Sequence, residues 1–393
     1  MTTRPWIVVA GGGTAGHVLP ALAVADTLVA RGLNPSAISF IGSERGVERR
    51  LVPAAGYTVI LLPGRGLLRS FAPGAILTNI RSMVGLASAT IRTIASFVRS
   101  RPAVVLGVGG YACLPACVAA RVTRVPLVLA ESNARAGRSV RAFSRYAKAT
   151  AVAFSTTGLP HAVLTGNPVR REILPLAAQP AAEARADARS RLGIEADVSV
   201  LTVFGGSLGA RRINEAILAL CEAWADRQLM IRHVVGERDL VWAQQQGNDW
   251  RSRHPDARLT YQQVAYEDQM PLWYVASDVV VCRAGATSVA DLSVLGVAAI
   301  LVPLPGAAED HQSANAQAVS NDGAAICLAD QQLTSERLAA ELDALLDSPT
   351  RRSELARAQR RRSRPDAGDA VADLVITHAQ RRPELIGHRA MQP

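Results

Sequence analysis

A chain of 393 residues, 49% hydrophobic and 19% charged, has room for two cores and too little charge to stay unfolded. Its formal net charge of +10 points to an acidic partner: nucleotide phosphates, nucleic acid or an anionic membrane face. Aromatic residues make up only 4%, which leaves no stacking platform beside the charge and argues against nucleic acid.

In chain order, the apolar run Trp6 to Ala10 leads into Gly11-Gly12-Gly13-Thr14-Ala15-Gly16-His17-Val18-Leu19-Pro20, and an apolar-periodic segment follows to Arg31-Gly32. That order reads as strand, glycine turn, helix. Glycines let the backbone approach a bulky anion, and a helix N-terminus offers it free N–H groups. Pro20 is expected in the first helical turn and Gly32 at the C-terminal cap. His17 reads either as a working imidazole or as a simple cap. No signal peptide or run of 18 apolar residues is seen, and the five scattered cysteines read as reduced thiols in core packing.

Further strands are expected at 37–41, 59–62, 104–108, 127–130 and 149–153, then at 198–204, 231–235, 259–261, 279–282 and 299–302. Short apolar runs without alternation, separated by helical patterns, suit parallel strands covered on both faces. The expected architecture is doubly wound α/β in two Rossmann-like halves, with a ligand in the cleft between them. Residues 166–173 read as a hinge, and the Ala- and Arg-rich stretch to Arg191 as a helix opening the second half. Leu67 to Arg101 interleaves apolar residues with arginines. It reads as an interfacial membrane segment or as an amphipathic helix with its apolar side in the core. The arginines from Arg357 to Arg364 read as a solvated helix face, 366–380 as a last helix, and 381–393 as a loose tail.

Three more glycine clusters follow predicted strands: Gly107-Val108-Gly109-Gly110-Tyr111, Gly205-Gly206-Ser207-Leu208-Gly209-Ala210, and Arg283-Ala284-Gly285-Ala286-Thr287-Ser288. Two such loops in each half suggest a phosphate-bearing ligand. A dinucleotide oxidoreductase is a weaker reading, because the acid expected after the second strand arrives late, at Glu44. No Asp-x-Asp pair is present, so neither a metal on the diphosphate nor any cofactor is suggested.

These loops, with Gly166-Asn167-Pro168-Val169-Arg170, resemble in order and spacing the motifs of the MurG family, the UDP-GlcNAc:lipid I N-acetylglucosaminyltransferases of bacterial peptidoglycan synthesis. The likeness runs from about Ile7 to about Gln380. It implies a GT-B fold with an acceptor and membrane domain at 1–165, a hinge at 166–173, a UDP-sugar domain at 174–365, and the 366–380 helix crossing back to the first domain. It also implies inverting transfer of GlcNAc from UDP-GlcNAc to the C4 hydroxyl of the MurNAc in lipid I, undecaprenyl-diphospho-MurNAc-pentapeptide. The setting implied is peripheral, on the anionic cytoplasmic face of the cell membrane, beside other cell-wall synthesis proteins.

By position, the resemblance makes His17 the base or acceptor-positioning group, joined in the catalytic set by Glu131 and Asn133. It gives UDP-GlcNAc the contacts Thr14, Ala15, Gly16, His17, Asn133, Arg170, Ser207, Leu208, Gly209, Ala210, Asp291, His311 and Gln312. Several residues depart from the family. Ala15 stands for a glycine, Ala130 and Ser132 for the histidine and glutamine of a His-Glu-Gln-Asn stretch, Asp291 for a ribose-binding glutamate, and His311 for the first of two glutamines. Asp291 could otherwise be a first-turn acid favoured by the helix dipole. The competing functions are a UDP-GlcNAc 2-epimerase, a divergent or inactive paralogue with another acceptor, and a membrane scaffold without UDP-sugar affinity.

Overall fold

The structure, a computed structural model, describes residues 4–63, 73–206 and 209–385. Ser207, Leu208, residues 67–72 of the apolar-basic segment and residues 386–393 of the expected tail lie outside the described residues. The chain forms two compact units, one gathering it up to Arg170 and again from Arg364, the other spanning Arg171–Ser363.

In the first unit the strands are β1 Ile7–Gly11, β2 Ile38–Ser43, β3 Thr58–Leu62, β4 Val104–Gly109, β5 Leu127–Glu131, β6 Ala149–Val152 and β7 Ala162–Leu164. They form one parallel sheet in the order β3-β2-β1-β4-β5-β6-β7. Ile7 and Val9 pack with Val18, Val24 and Leu28 on one face, while Val8 and Ala10 meet Phe97, Cys113 and Cys117 on the other. Burial on both faces is why the sequence shows continuous apolar runs instead of alternation. Winding reverses between β1 and β4, so the loops leaving their carboxyl ends mark the place where such sheets take ligands.

The second unit repeats the plan. Its strands are β8 Ser199–Phe204, β9 Leu229–Val234, β10 Thr260–Val264, β11 Val279–Cys282, β12 Ala299–Leu301 and β13 Ile326–Cys327. They are parallel, in the order β10-β9-β8-β11-β12-β13, and the reversal falls between β8 and β11.

The helix Ala367–His378 returns to the first unit. Its Val371, Ala372 and Val375 are fully buried in the core that holds Val24 and Leu28. Two buried valines contribute roughly 1.5–3 kcal/mol each, and Arg31 adds ion pairs at 2.6 Å to Asp369 and 2.5 Å to Asp373. The chain enters this docking at Gly166, where φ is +83° and an added Cβ would stand 2.4 Å from Cβ of Arg364. Only glycine lets the outgoing and returning strands of chain lie this close.

Four expectations change. The strands β7 and β13 were not anticipated, because an exposed three-residue edge and a two-residue strand carry no readable pattern. Pro20 lies inside the helix Ala15–Ala30 and not at its start; it lacks the N–H that would bond the Gly16 carbonyl one turn back. The stretch read as one helix to Arg191 is two, Ile173–Ala178 and Ala181–Leu192, separated at Pro180. Finally, the expected loose tail is docked as far as Leu385. Arg381 accepts a hydrogen bond from the Trp6 indole at 2.8 Å and donates one to the Arg101 carbonyl, and Leu385 bridges Leu33.

Gly166→Ala should lower stability by about 1–3 kcal/mol, through both the clash and the positive φ. A urea midpoint equal to that of the parent chain would show that the crossing is loosely packed.

Candidate active site

At the β1 end, Gly11, Gly12 and Gly13 have φ of +148°, +145° and +94°, conformations that side-chain-bearing residues rarely adopt. An added Cβ on Gly11 would stand 2.3 Å from the Gly109 carbonyl oxygen, and on Gly110 2.1 Å from that of Gly12. The β1 and β4 loops therefore touch backbone to backbone, joined by a 3.2 Å bond from Gly12 N–H to the Gly109 carbonyl. Gly13 N–H donates to the buried carboxylate of Glu48 at 2.8 Å. Two amides expected to meet an anion are thus engaged within the protein.

Thr14 is the extended N-cap of the Ala15–Ala30 helix. Its hydroxyl lies 3.3 Å from Nδ1 of half-buried His17. When Nδ1–H donates to Thr14, Nε2 keeps a lone pair and can accept a proton. The Nε2 edge of the ring packs over Gly109, where an added Cβ would stand 3.1 Å from it. Ala15 opens the helix at ordinary negative φ, so replacing the family's glycine is tolerated there.

Glu131 ends β5 and is 5% exposed. One carboxylate oxygen accepts from the backbone and side-chain nitrogens of Asn133 at 3.0 and 3.1 Å, the other from Gly137 N–H at 2.8 Å. Burial raises its pKa above the usual carboxylate range, and these hydrogen bonds oppose the shift. Its oxygens brace the 131–137 loop, which fixes Asn133. Ala130 and Ser132 border a void of about 10 Å³, room for about one water. Arg170 is half-buried at the end of the first unit.

In the second unit, Gly205 leaves β8 and Ala210 precedes the helix Arg211–Ala223. An added Cβ on Gly205 would meet Ala210 at 2.3 Å, and one on Gly209 the Val235 carbonyl oxygen at 2.3 Å. Behind this loop lies a buried relay absent from the sequence reading. Tyr261 lies 2.8 Å from His233 Nδ1, and His233 Nε2 lies 3.0 Å from Asn214 Oδ1. Asn214 Nδ2 donates to the Val235 carbonyl and to Asp239, both at 3.0 Å. Since Asn214 uses its amide nitrogen as donor, its oxygen accepts from Nε2–H, which fixes the His233 tautomer.

Arg283, at the β11 end, donates to Asp330 at 2.6 Å and to the carbonyls of Val302 and Pro303, bracing the strand that leads towards His311. Asn315, fully buried, donates to the Ala284 carbonyl at 3.1 Å. Asp291 lies in the second turn of the helix Ala286–Leu295 and is 1% exposed, which removes the first-turn dipole reading. Glu309 and Asp310, both left-handed at φ +55° and +54°, precede the helix His311–Asn321. Such conformations cost about 1–3 kcal/mol each and cluster where side chains are aimed at ligands. Gln312 accepts from Leu304 N–H at 3.0 Å.

The glycosyltransferase family 28 N-terminal domain matches residues 7–152, and the family 28 C-terminal domain matches residues 200–371. A protein of Acidothermus cellulolyticus is 36% identical over 96% of this chain and 98% of its own length. One of Mycobacterium avium is 39% identical over 94% and 88%. Both are named UDP-N-acetylglucosamine–N-acetylmuramyl-(pentapeptide) pyrophosphoryl-undecaprenol N-acetylglucosamine transferase. The chain belongs to the MurG family. The crystal structure of Acinetobacter baumannii MurG is similar at a TM-score of 0.71 with 29% identity, covering 94% of this chain and 98% of that one. MurG membership makes the chain a glycosyltransferase of GT-B fold.

Sequence reasoning missed Glu48, His233 and Asp330, because each acts through a partner distant in sequence, and also the left-handed pair at 309–310, whose residue types give no glycine signal.

Burial pushes the His233 pKa down to about 3. Below the ordinary value near 6.5 the unfolded chain binds a proton that the folded chain excludes, so stability falls with pH by about 1.4 kcal/mol per unit from this group. The stability advantage of the parent over His233→Gln should therefore narrow by roughly 2 kcal/mol between pH 6.5 and 5. A gap that stays constant in urea titrations would mean His233 takes its proton while folded.

Proposed function

We propose that the chain transfers GlcNAc from UDP-GlcNAc to the C4 hydroxyl of the MurNAc in lipid I, with inversion at the anomeric carbon. Identity of 36% and 39% to transferases of that name, over nearly the whole chain, carries this reading. It does not favour the 2-epimerase. On this reading His17, in the tautomer whose Nδ1–H donates to the Thr14 hydroxyl, accepts the proton of the acceptor hydroxyl at Nε2 as the new C–O bond forms. The C1–O bond to the diphosphate breaks, and UDP leaves with the electron pair. Backbone N–H groups of the 207–210 loop and Arg170 stabilise the departing charge. Asp291 holds the ribose, His311 and Gln312 the sugar hydroxyls, and Asn133, fixed by Glu131, orients the reacting groups.

The membrane face is part of the proposal. No helix among the described residues is long and apolar enough to cross a bilayer. The helix Pro73–Ser100 turns Ser82, Ala89, Thr93 and Phe97 inward and leaves Met83, Val84, Ile91 and Val98 57–67% exposed beside Arg92 and Arg99. An outward apolar stripe flanked by arginines suits insertion at the headgroup level of an anionic membrane.

His17→Ala should lower kcat about 10²–10⁴-fold in a radiolabelled UDP-GlcNAc transfer assay with a short-chain lipid I analogue, while UDP affinity holds. Unchanged turnover would remove His17 from the chemistry, and no label in the lipid fraction with the parent chain would end the proposal. Ile91→Glu should reduce flotation with vesicles containing phosphatidylglycerol without changing UDP-GlcNAc affinity. Flotation equal to the parent's would place the membrane contact elsewhere.

A further inference from the structure

Glu48 opens the short helix Glu48–Ala54 and is 1% exposed. Its carboxylate does not face solvent ahead of that helix; it is folded back under the first glycine loop. Oε1 accepts Ser43 N–H at 2.6 Å and Oε2 accepts Gly13 N–H at 2.8 Å. Three glycines from two stretches of chain wall the socket. An added Cβ would stand 2.4 Å from the carboxyl group on Gly12, 2.3 Å from Cγ of Glu48 on Gly42, and 2.1 Å from a carboxylate oxygen on Gly46. Burying an anion is unfavourable unless directed hydrogen bonds compensate, and a brace meant only to fill space would be apolar. An anion here fixes direction as well as position.

The residue it fixes is one step from the proposed chemistry. Gly13, held at φ +94°, is followed by Thr14. The Thr14 carbonyl accepts His17 N–H at 3.1 Å and Val18 N–H at 3.2 Å, and its hydroxyl meets His17 Nδ1. Glu48 therefore sets Gly13, Gly13 sets Thr14, and Thr14 sets the turn that carries the imidazole and lies against its Nδ1.

We infer that Glu48 is a positioning residue for His17, acting through Gly13 and Thr14. The inference rests on the reading of His17 as the group that meets the acceptor hydroxyl. Displacement of a reacting group by about 1 Å is enough to cost about 10²-fold in rate, so the socket should show in turnover before it shows in donor binding.

Glu48→Gln keeps the volume but turns an amide NH₂ towards one of the two N–H donors. In the full chain with the lipid I analogue, kcat should fall about 10-fold or more while KM for UDP-GlcNAc stays within about 2-fold. The Cε1–H resonance of His17 in the ¹H–¹³C spectrum of the folded variant should also shift. Gly46→Ala, which crowds the carboxylate without removing its charge, should reproduce both changes, and it carries the test if Glu48→Gln does not fold. Parent-like kcat with an unmoved His17 resonance in either folded variant overturns the inference. A parent chain that transfers no GlcNAc would sink the activity reading instead, and the His17 resonance alone would then decide for or against Glu48.

Discussion

The first unit depends on a backbone contact that only glycine permits. Where β1 and β4 end, Gly12 donates to the Gly109 carbonyl, and a single Cβ on Gly11 or Gly110 would drive the two loops apart. Parallel strands on either side of a winding reversal bring two loops to one end of a sheet, but topology alone leaves them several ångströms apart. Removing the side chains closes that distance. The closure also gives His17 its place, because the ring lies over Gly109. The same logic recurs at β8, where Gly205 and Gly209 let the loop fold against Ala210 and Val235.

The fold was legible because its strands are buried on both faces and separated by helices, which leaves continuous apolar runs at regular intervals. The loops were legible because glycine clusters followed those runs. Elements escaped where the signal was too short, as in β7 and β13, or where it depended on the third dimension. Nothing local in Glu48 says that its carboxylate turns back beneath a loop 35 residues away. His233 lies among the apolar residues of β9 as any core residue would, and only its pairing with Asn214 and Tyr261 explains an imidazole there. The alternative reading of Asp291 as a first-turn acid fails by one helical turn, because a helix start at Gly285 leaves no side-chain capping signal to read.

The departures from the family pattern find different physical answers. Ala15 sits at a helical φ that alanine adopts freely, so this change is neutral to the backbone. Ala130 and Ser132 border a small void with room for about one water, next to Glu131. Glu131 keeps both oxygens in the loop it braces, and one of them accepts from both nitrogens of Asn133 beside the changed Ser132. The changes fall around a brace that is intact.

Net charge was the least local of the sequence observations, and the structure divides it. Arg185, Arg189 and Arg352 converge on Asp278, and Arg212 and Arg283 on Asp330. Arg352 also caps the carbonyls of Leu345 and Leu346, and Arg189 those of Glu195 and Ala196. These guanidiniums hold helix ends and loops in the second unit, where a planar donor fork satisfies several acceptors at once. A positive balance in the sequence therefore overstates the charge left for a ligand or a membrane. Of the many arginines that face outward, Arg92 and Arg99 lie among exposed apolar side chains on one helix. It is that juxtaposition, and not the net charge, that supports an anionic surface as the partner.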